Sequence, residues 1–570
     1  MQIGIAGSGP AAESVRAALN DIDATATAAA PTELGGYPLG VVIAPAGAPA
    51  FETADGVATD WLAVEIGGLG GRPIPALDAA VTVLTDGVGY HDLRARVEST
   101  ANDEAAAGEA DAGDSPPSGS RSAVRLAGAV AGHRAVSVLA GADLGGTVVE
   151  VPGNERRVFA TPDAADRDRT LRTGHREASL DDALARAERA VDDRVGLLTR
   201  VGERESFPAP YYIAATADTT VYSDARAAAY AAGVDDDWDR AFMKALGEGL
   251  ERYCAGSYRT ASFERAPPAT RDDGVSPAAF VRPDDRPVDP DTPIPWVPGA
   301  DLQTGEAVSL PAEFVHYPPP TERHRPPITT GLGLGNSGSE ALCSGLYEVI
   351  ERDAAMCAWY STYEPLGLAV DDERFAALAD RARAERLSVS PVLVTGDVDV
   401  PVVAVAVHRE DAWPRFALGS AADLDAQAAA RSALAEALQN WMELRALGPE
   451  GAADEEGAIG RYADRPPETR AFTDADDGVP VASVGPDPVP TGEAELDAVV
   501  ERAADAGLST YAARLTTPDV DDLGFEAVRV LCPEAQPLFV DEPYFGDRAE
   551  SVPRDLGYEP RLDRPFHPYP

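Results

Sequence analysis

The chain has 570 residues, enough for two or three domains with substantial cores. Its 48 Lys+Arg against 95 Asp+Glu leave a formal charge of −47, which argues against a nucleic-acid backbone or an anionic membrane as partner. Lys244 is the single lysine, and so acid-rich a composition points to a halophilic source, where a Debye length of about 3 Å at molar salt screens the self-repulsion.

Taken in chain order, MQIGIAGSGPAA lacks the basic start and long apolar run of a secretion signal, and no window approaches ~20 apolar residues, so a cytoplasmic protein is expected. Ile3 to Ala6 reads as a short strand. Gly7, Gly9 and Ala12 follow in the GxGxxA spacing of a dinucleotide fingerprint. A glycine turn needed only for close helix–strand packing gives the same spacing. VVIAPA from Val41 reads as a later parallel strand, so the first domain is expected to be Rossmann-like. Residues 98–122 are small, polar and rich in Pro, Ser and Gly, the composition of a disordered acidic loop. A helix from Val124 and strands in GTVVEV and RRVFAT complete a first domain of residues 1–175, leaving 176–570 for the second. Ser179 caps a further helix, and alternation around Tyr211 to Ala215 marks a strand.

In AFMKALGEGLERYCAGSY, residues 241–258, Met243, Leu246, Leu250, Tyr253 and Cys254 share an apolar face. Glu248 and Glu251 are neighbours on the other side. Short strands and turns follow, up to PPPTERHRPP. GLGLGNSGSEALCSGLYEVIERDAAMCAWY, residues 331–360, reads as a glycine-rich turn feeding a long helix capped by Ser337 or Ser339. At about 100° per residue, Glu340, Ser344, Glu348 and Glu351 fall on one stripe with Arg352 at its edge. Leu342, Leu346, Val349 and Ile350 form the apolar back. Three carboxylates on one narrow stripe repel one another unless a cation holds them. They are either the solvated face of a surface helix or a divalent-metal site, most naturally Mg2+ carried by a nucleotide phosphate. VSPVLVTGDVDVPVVAVAVHRE gives two paired strands. Residues 415–447 contain a third long helix with Glu436, Gln439 and Glu443 on one face, and Leu434, Leu438, Trp441 and Met442 on the other. A mixed loop over 448–491, a helix, two strands and an extended HPYP tail close the chain.

Several chemistries are removed by what is missing. Lys244 precedes alanine, so no Walker A loop exists; HRD, GxSxG and HExxH motifs are absent as well. Cys254, Cys343, Cys357 and Cys532 form no CxxC pair, so neither a cysteine-bound zinc nor a disulfide framework is expected. A bound triphosphate would rely on Mg2+, arginine and backbone N–H groups, for which GLGLGNSG ahead of a helix is a candidate donor.

ALGEGLERYCA, DLQTGEAVSLPAEFV, NSGSEALCSGLYEVIERDA, LGSAADLDAQAAARSALAEALQNW and the final HPYP resemble the YcaO superfamily, specifically its azoline-forming cyclodehydratases of thiazole/oxazole-modified peptide biosynthesis. The resemblance covers roughly residues 180–570. It implies an α/β (α+β) chain, an N-terminal Rossmann-like domain followed by a YcaO-type α+β domain, and with the composition a haloarchaeal source. It implies ATP and Mg2+ as cofactors, with Glu248, Glu251, Glu348 and Glu351 as metal ligands. Glu248, Glu251, Asn336, Glu340, Arg352, Gln439 and Glu443 would line the nucleotide, and Glu348, Arg352 and Pro570 would be catalytic. In the implied reaction a Cys, Ser or Thr side chain of a ribosomal precursor peptide attacks the preceding carbonyl. The amide oxygen then takes the γ-phosphate, and loss of phosphate leaves an azoline. Implied partners are that peptide, a flavin-dependent azoline oxidase, a leader-binding protein and a second copy of the chain. The first domain looks similar to ThiF-like, ubiquitin-activating-like domains. GYHDLRARV and RRVFATPDAADR stand where relatives carry zinc CxxC pairs but hold no cysteine, which implies a degenerate, zinc-free scaffold. Two other readings stay open: a thioamide-forming enzyme using external sulfide, and a non-enzymatic scaffold for a peptide or protein.

Overall fold

The computed structural model describes every residue except 23, 86, 102–116, 163–166, 455–457, 476–477 and 541. The centre of the loop expected at 98–122 therefore lies outside the described residues. Its ends do not: one helix, Tyr90–Ser99, runs into it and another, Arg121–Leu139, opens before it closes, capped by the Ser120 hydroxyl on Ala123 N.

The chain divides into two compact units, Met1–Asp163 with Arg189–Arg200 and Thr216–Ser223, and Ala164–Glu188 with Val201–Ala215 and Asp224–Pro570. In the first, Thr25–Ala28, Gln2–Ala6, Gly40–Pro45 and Trp61–Ile66 pair in parallel, the Rossmann-like arrangement that the glycine spacing and VVIAPA suggest. Beyond Ile66 the sheet turns antiparallel, through Ala79–Leu84, Thr147–Val151 and Glu155–Arg157. The stretch after Ile66 holds the small hairpin Gly68–Pro73 in place of a crossover helix, and without a crossover the next strand must run back.

The second unit holds a small sheet, in which Tyr211–Ala215 pairs antiparallel with Tyr230–Val234, and two larger ones. One has the order Glu264–Ala266, Ile294–Asp301, Tyr511–Arg514, Glu526–Leu531, Leu332–Gly335. The other has the order Phe416–Ala422, Val402–His408, Ser388–Leu393, Leu366–Ala369, Val479–Pro480. The central helix, Gly338–Trp359, shares one core with Val528 and Val530 of the first sheet and Ala404, Ala406 and Leu418 of the second. Val403, Val405 and Val407 point the other way, into a second core with Ala433, Leu434, Leu438 and Trp441 of the third helix. That helix stops at Gly448, whose φ of 75° and following Pro449 end it where the loop is expected.

The glycine-rich GLGLG is a strand, not a turn. Leu332–Gly335 pairs antiparallel with Glu526–Arg529, and its backbone groups are used there. Glycine is required because a Cβ at Gly333 would lie 2.2 Å from the carbonyl oxygen of Ala341 in the helix that packs on it. Among the described residues no helix is long and apolar enough to cross a membrane.

Candidate functional site

On the central helix, only Glu340, Ser344, Glu348 and Arg352 reach the surface; every other position from Gly338 to Trp359 is buried. They are spaced i, i+4, i+8, i+12, one line along one face. This excludes the solvated surface helix: the polar line is a slot in an otherwise enclosed helix. Ser337 supplies the cap, accepting from Glu340 N at 3.4 Å.

Three strand–helix units aim carboxylates at this slot, each glutamate held by a backbone N–H of the strand before its helix. Glu248 accepts from Ala232 N at 3.0 Å, Glu348 from Gly331 N at 3.0 Å and Glu436 from Ser420 N at 2.6 Å. The first two units correspond at a glycine and at their carboxylates, though the donors Ala232 and Gly331 stand one position out of step. Gly233 and Gly333 let the helix approach, a Cβ at Gly233 falling 2.2 Å from the Ala241 carbonyl oxygen, and E-x-x-E-R follows in both, as Glu248, Glu251, Arg252 and Glu348, Glu351, Arg352. Because Gly331 N serves Glu348, and Asn336 N serves Glu340 at 3.0 Å, those N–H groups are taken and are not phosphate donors.

The carboxylates are short of positive charge. Burial, with the Glu348 and Glu248 carboxylates adding to it against Arg252, pushes Glu251 up to about 7. Burial likewise carries Glu436 to about 7, with Glu351 and Glu348 adding and Arg352 opposing, and it raises Glu351, whose carboxylate accepts from Ser420 Oγ at 2.6 Å. Arg352 stands 3.6 Å from Glu351 and 3.8 Å from Glu436, and donates to the Pro570 carbonyl at 3.0 Å. Arg252 lies 3.2 Å from Glu248 and 3.7 Å from Glu251, yet its buried Nη1 has no hydrogen-bond partner among the described residues. Burial, reinforced by Arg325, lowers Arg529 to about 9, while Glu348 and Glu251 oppose the shift.

Of the residues singled out from sequence, Glu251, Glu348, Glu351 and Arg352 are thus brought together, with Pro570 on Arg352. Gln439 and Glu443 join Glu248 through Tyr211: the Tyr211 hydroxyl donates to Glu443 at 2.7 Å, Gln439 Nε2 donates to Glu443 at 3.1 Å, and Glu248 adds to the rise in the Tyr211 pKa that burial dominates. Asn336 sits apart, bonded through N and Nδ2 to Glu340 at one end of the slot and accepting from Arg186 at Oδ1. A pocket of 420 Å³ opens along the slot, lined by Glu340, Ser344, Glu348 and Glu351. Its far wall was not legible in the motifs. There Tyr347 donates to Glu495 at 2.8 Å, and burial with Glu495 and Asp425 lifts Asp423 to about 7. Arg252 had a signal in sequence, the repeated E-x-x-E-R; Tyr211, Asp423, Glu495 and Arg529 had none, since they arrive from distant strands and loops.

Among the described residues no three His, Cys, Asp or Glu side chains are close enough together to cage a metal ion. Mg2+ does not need such a cage. It takes one or two carboxylates and fills its remaining positions with phosphate oxygens and water. Hard carboxylate donors in excess, with Glu251, Glu351 and Glu436 raised in pKa and one Arg252 N–H unmet, fit a Mg2+-bearing triphosphate.

Residues 232–536 match the family model described as YcaO cyclodehydratase, ATP- and Mg2+-binding, which is over half of the 570-residue chain. The chain belongs to the YcaO family. ATP and Mg2+ are the cofactors of that family. A YcaO protein from Methanopyrus kandleri, solved with AMPPCP and Mg2+, is 26% identical with a TM-score of 0.52, over 67% of this chain and 98% of that one. A heterocyclase solved with substrate and cofactor is 18% identical with a TM-score of 0.71, over 99% of this chain and 84% of that one, and bears on the fold alone. An uncharacterised protein of Methanothermobacter thermautotrophicus is 29% identical over 221 residues, 35% of this chain and 54% of its own length. This YcaO chain spans about half the length of the curated relatives it matches.

Proposed function

We propose that this YcaO protein is an ATP- and Mg2+-dependent cyclodehydratase that forms azolines from Cys, Ser or Thr in a ribosomal precursor peptide, with the Met1–Asp163 unit recruiting the peptide. One observation carries the reading: Glu340, Ser344 and Glu348, at the surface of an otherwise enclosed helix, line a pocket beside carboxylates whose pKa burial raises. Glu248, Glu251, Glu348 and Glu351 would hold Mg2+, and Asn336, Glu340, Gln439 and Glu443 would line the nucleotide. Bound there, Mg·ATP supplies the phosphoryl group that lets an amide oxygen leave as phosphate. Arg352, fixed between two carboxylates, would meet charge developing on that oxygen. Its bond to Pro570 orients the guanidinium and makes the tail part of the site.

The test is calorimetry with Mg·AMPPCP at high salt, then peptide-dependent release of ADP and phosphate. The wild type should bind, and Glu348→Gln should lose binding or turnover by about 100-fold. The peptide product should be lighter by one water. Exchange of oxygen for sulfur would instead mark thioamide formation, and absence of Mg·AMPPCP binding would leave only a scaffold.

A further inference from the structure

A second cleft of the Asp224–Pro570 segment lies away from the carboxylate slot. It measures 1080 Å³ and lies between residues 282–286 and 542–554. Small-molecule pockets run to roughly 300–1,000 Å³, so it is larger than a compact metabolite needs. Three polar atoms of residues that line it are buried without a hydrogen-bond partner among the described residues: Arg282 Nε, Arg286 Nη1 and the Tyr544 hydroxyl. Unmet donors of this kind are costly unless a ligand satisfies them, and a guanidinium N–H suits a carbonyl oxygen. The loop bearing them is set, with Arg282 Nη1 donating to the Arg286 carbonyl at 2.9 Å. Carboxylates outnumber guanidiniums around the cleft, five to three, which disfavours a phosphorylated or acidic ligand. Prolines and Phe545 add apolar surface between the charges. A main chain that accepts at its carbonyls and carries neutral or basic side chains meets all of these terms.

Residues beside the cleft reach Arg352 through a separate small cavity. Arg325, next to the lining residue Pro326, stacks on Phe314 at 4.8 Å and borders a small cavity that Arg352 and Gln536 also line. Gln536 Nε2 donates to the Tyr544 carbonyl at 3.1 Å, and Gly546 N donates back to Gln536 Oε1 at 2.8 Å. One side chain therefore ties the rim of the cleft to the chamber of Arg352.

We infer that this cleft seats an extended, neutral or basic stretch of the substrate peptide beside the residue being cyclised, with Arg282, Arg286 and Tyr544 donating to its carbonyls. The inference rests on the cyclodehydratase reading for the identity of the peptide. The probe is a decapeptide library with one central Cys, Ser or Thr and a diazirine-bearing residue beside it, irradiated with the full chain and Mg·AMPPCP at high salt. Adducts should map within 282–286 and 542–554. Arg286→Ala should cut their yield about tenfold, as expected for one lost charge-assisted bond, with Mg·AMPPCP affinity held within about twofold. Tyr544→Phe, which removes a single oxygen, should lower the yield in the same direction and covers the case in which Arg286→Ala does not fold. Adducts elsewhere, no adducts, or a yield indifferent to both substitutions would overturn the assignment. Adducts in the cleft without any Mg·AMPPCP binding would leave the cleft standing and remove the ATP-dependent reading instead.

Discussion

Arg352 makes three contacts that no other cation could make together. It reaches Glu351 and Glu436 on two helices while donating to the Pro570 carbonyl at 3.0 Å. A guanidinium presents five N–H donors in a planar fork; lysine's ammonium is a single point. Arg352→Lys should therefore keep the charge and lose the bridge. Peptide-dependent ADP release should fall about 100-fold or more, while calorimetric affinity for Mg·AMPPCP changes far less. Equal losses in both would show that Arg352 serves nucleotide binding only. The same residue shows how far sequence reasoning reached. Arg352 and Glu348 were found because they lie on one helix at helical spacing. Ser420, which donates to Glu351 at 2.6 Å, was not, because a strand hydroxyl carries no mark of the helix it will face.

At the scale of elements, helices with caps and periodic apolar faces were legible: Ser337 and Ser179 each cap a helix start, whereas the Asp237 cap, ahead of the helix read from 241, was not singled out. GLGLG was misread because glycine marks both turns and close approach, and only the packed helix tells them apart. Gly333→Ala decides the point. A Cβ at 2.2 Å from the Ala341 carbonyl forces strand and helix apart, so a loss on the order of 1–3 kcal/mol is expected in chemical denaturation. A neutral result would mean the strand can give way. The carboxylates on these elements also set a pH dependence. Glu251 and Glu436 are raised to about 7 from an ordinary value of 4.5, so the folded state binds extra protons between those limits. Stability without ligand should therefore be greatest below about 4.5 on this account and fall as pH rises toward 7. Mg2+ needs ionised carboxylates, so affinity for Mg·AMPPCP should climb over the same range. Melting curves and calorimetry from pH 5 to 8.5 should show the two opposite slopes, and Glu251→Gln should flatten both. A ligand-free melting temperature that rises with pH and is unmoved by Glu251→Gln would contradict the assigned shifts.

For the molecule as a whole, the two large facts of charge oppose each other. The chain carries a formal −47, and its proposed ligand is a polyphosphate. The arginines that could receive it, Arg252, Arg352 and Arg529, are recessed among carboxylates and act only at short range. An approaching Mg·ATP therefore meets the acidic surface first and the guanidiniums last. Salt changes the balance, because the Debye length falls from about 10 Å at 0.1 M to about 3 Å at 1 M. Surface repulsion is then screened, while recessed contacts are screened much less. The association rate of Mg·AMPPCP should consequently rise with KCl, the reverse of a ligand steered in by opposite charge. Stopped-flow binding between 0.2 and 3 M KCl measures it directly. Thermal unfolding of the ligand-free chain over the same series separates refolding from screening: if the melting temperature rises but the rate per folded molecule does not, salt acts on stability alone. A rate that falls with salt would mean that positive potential, not the surface acid, governs the approach to the pocket.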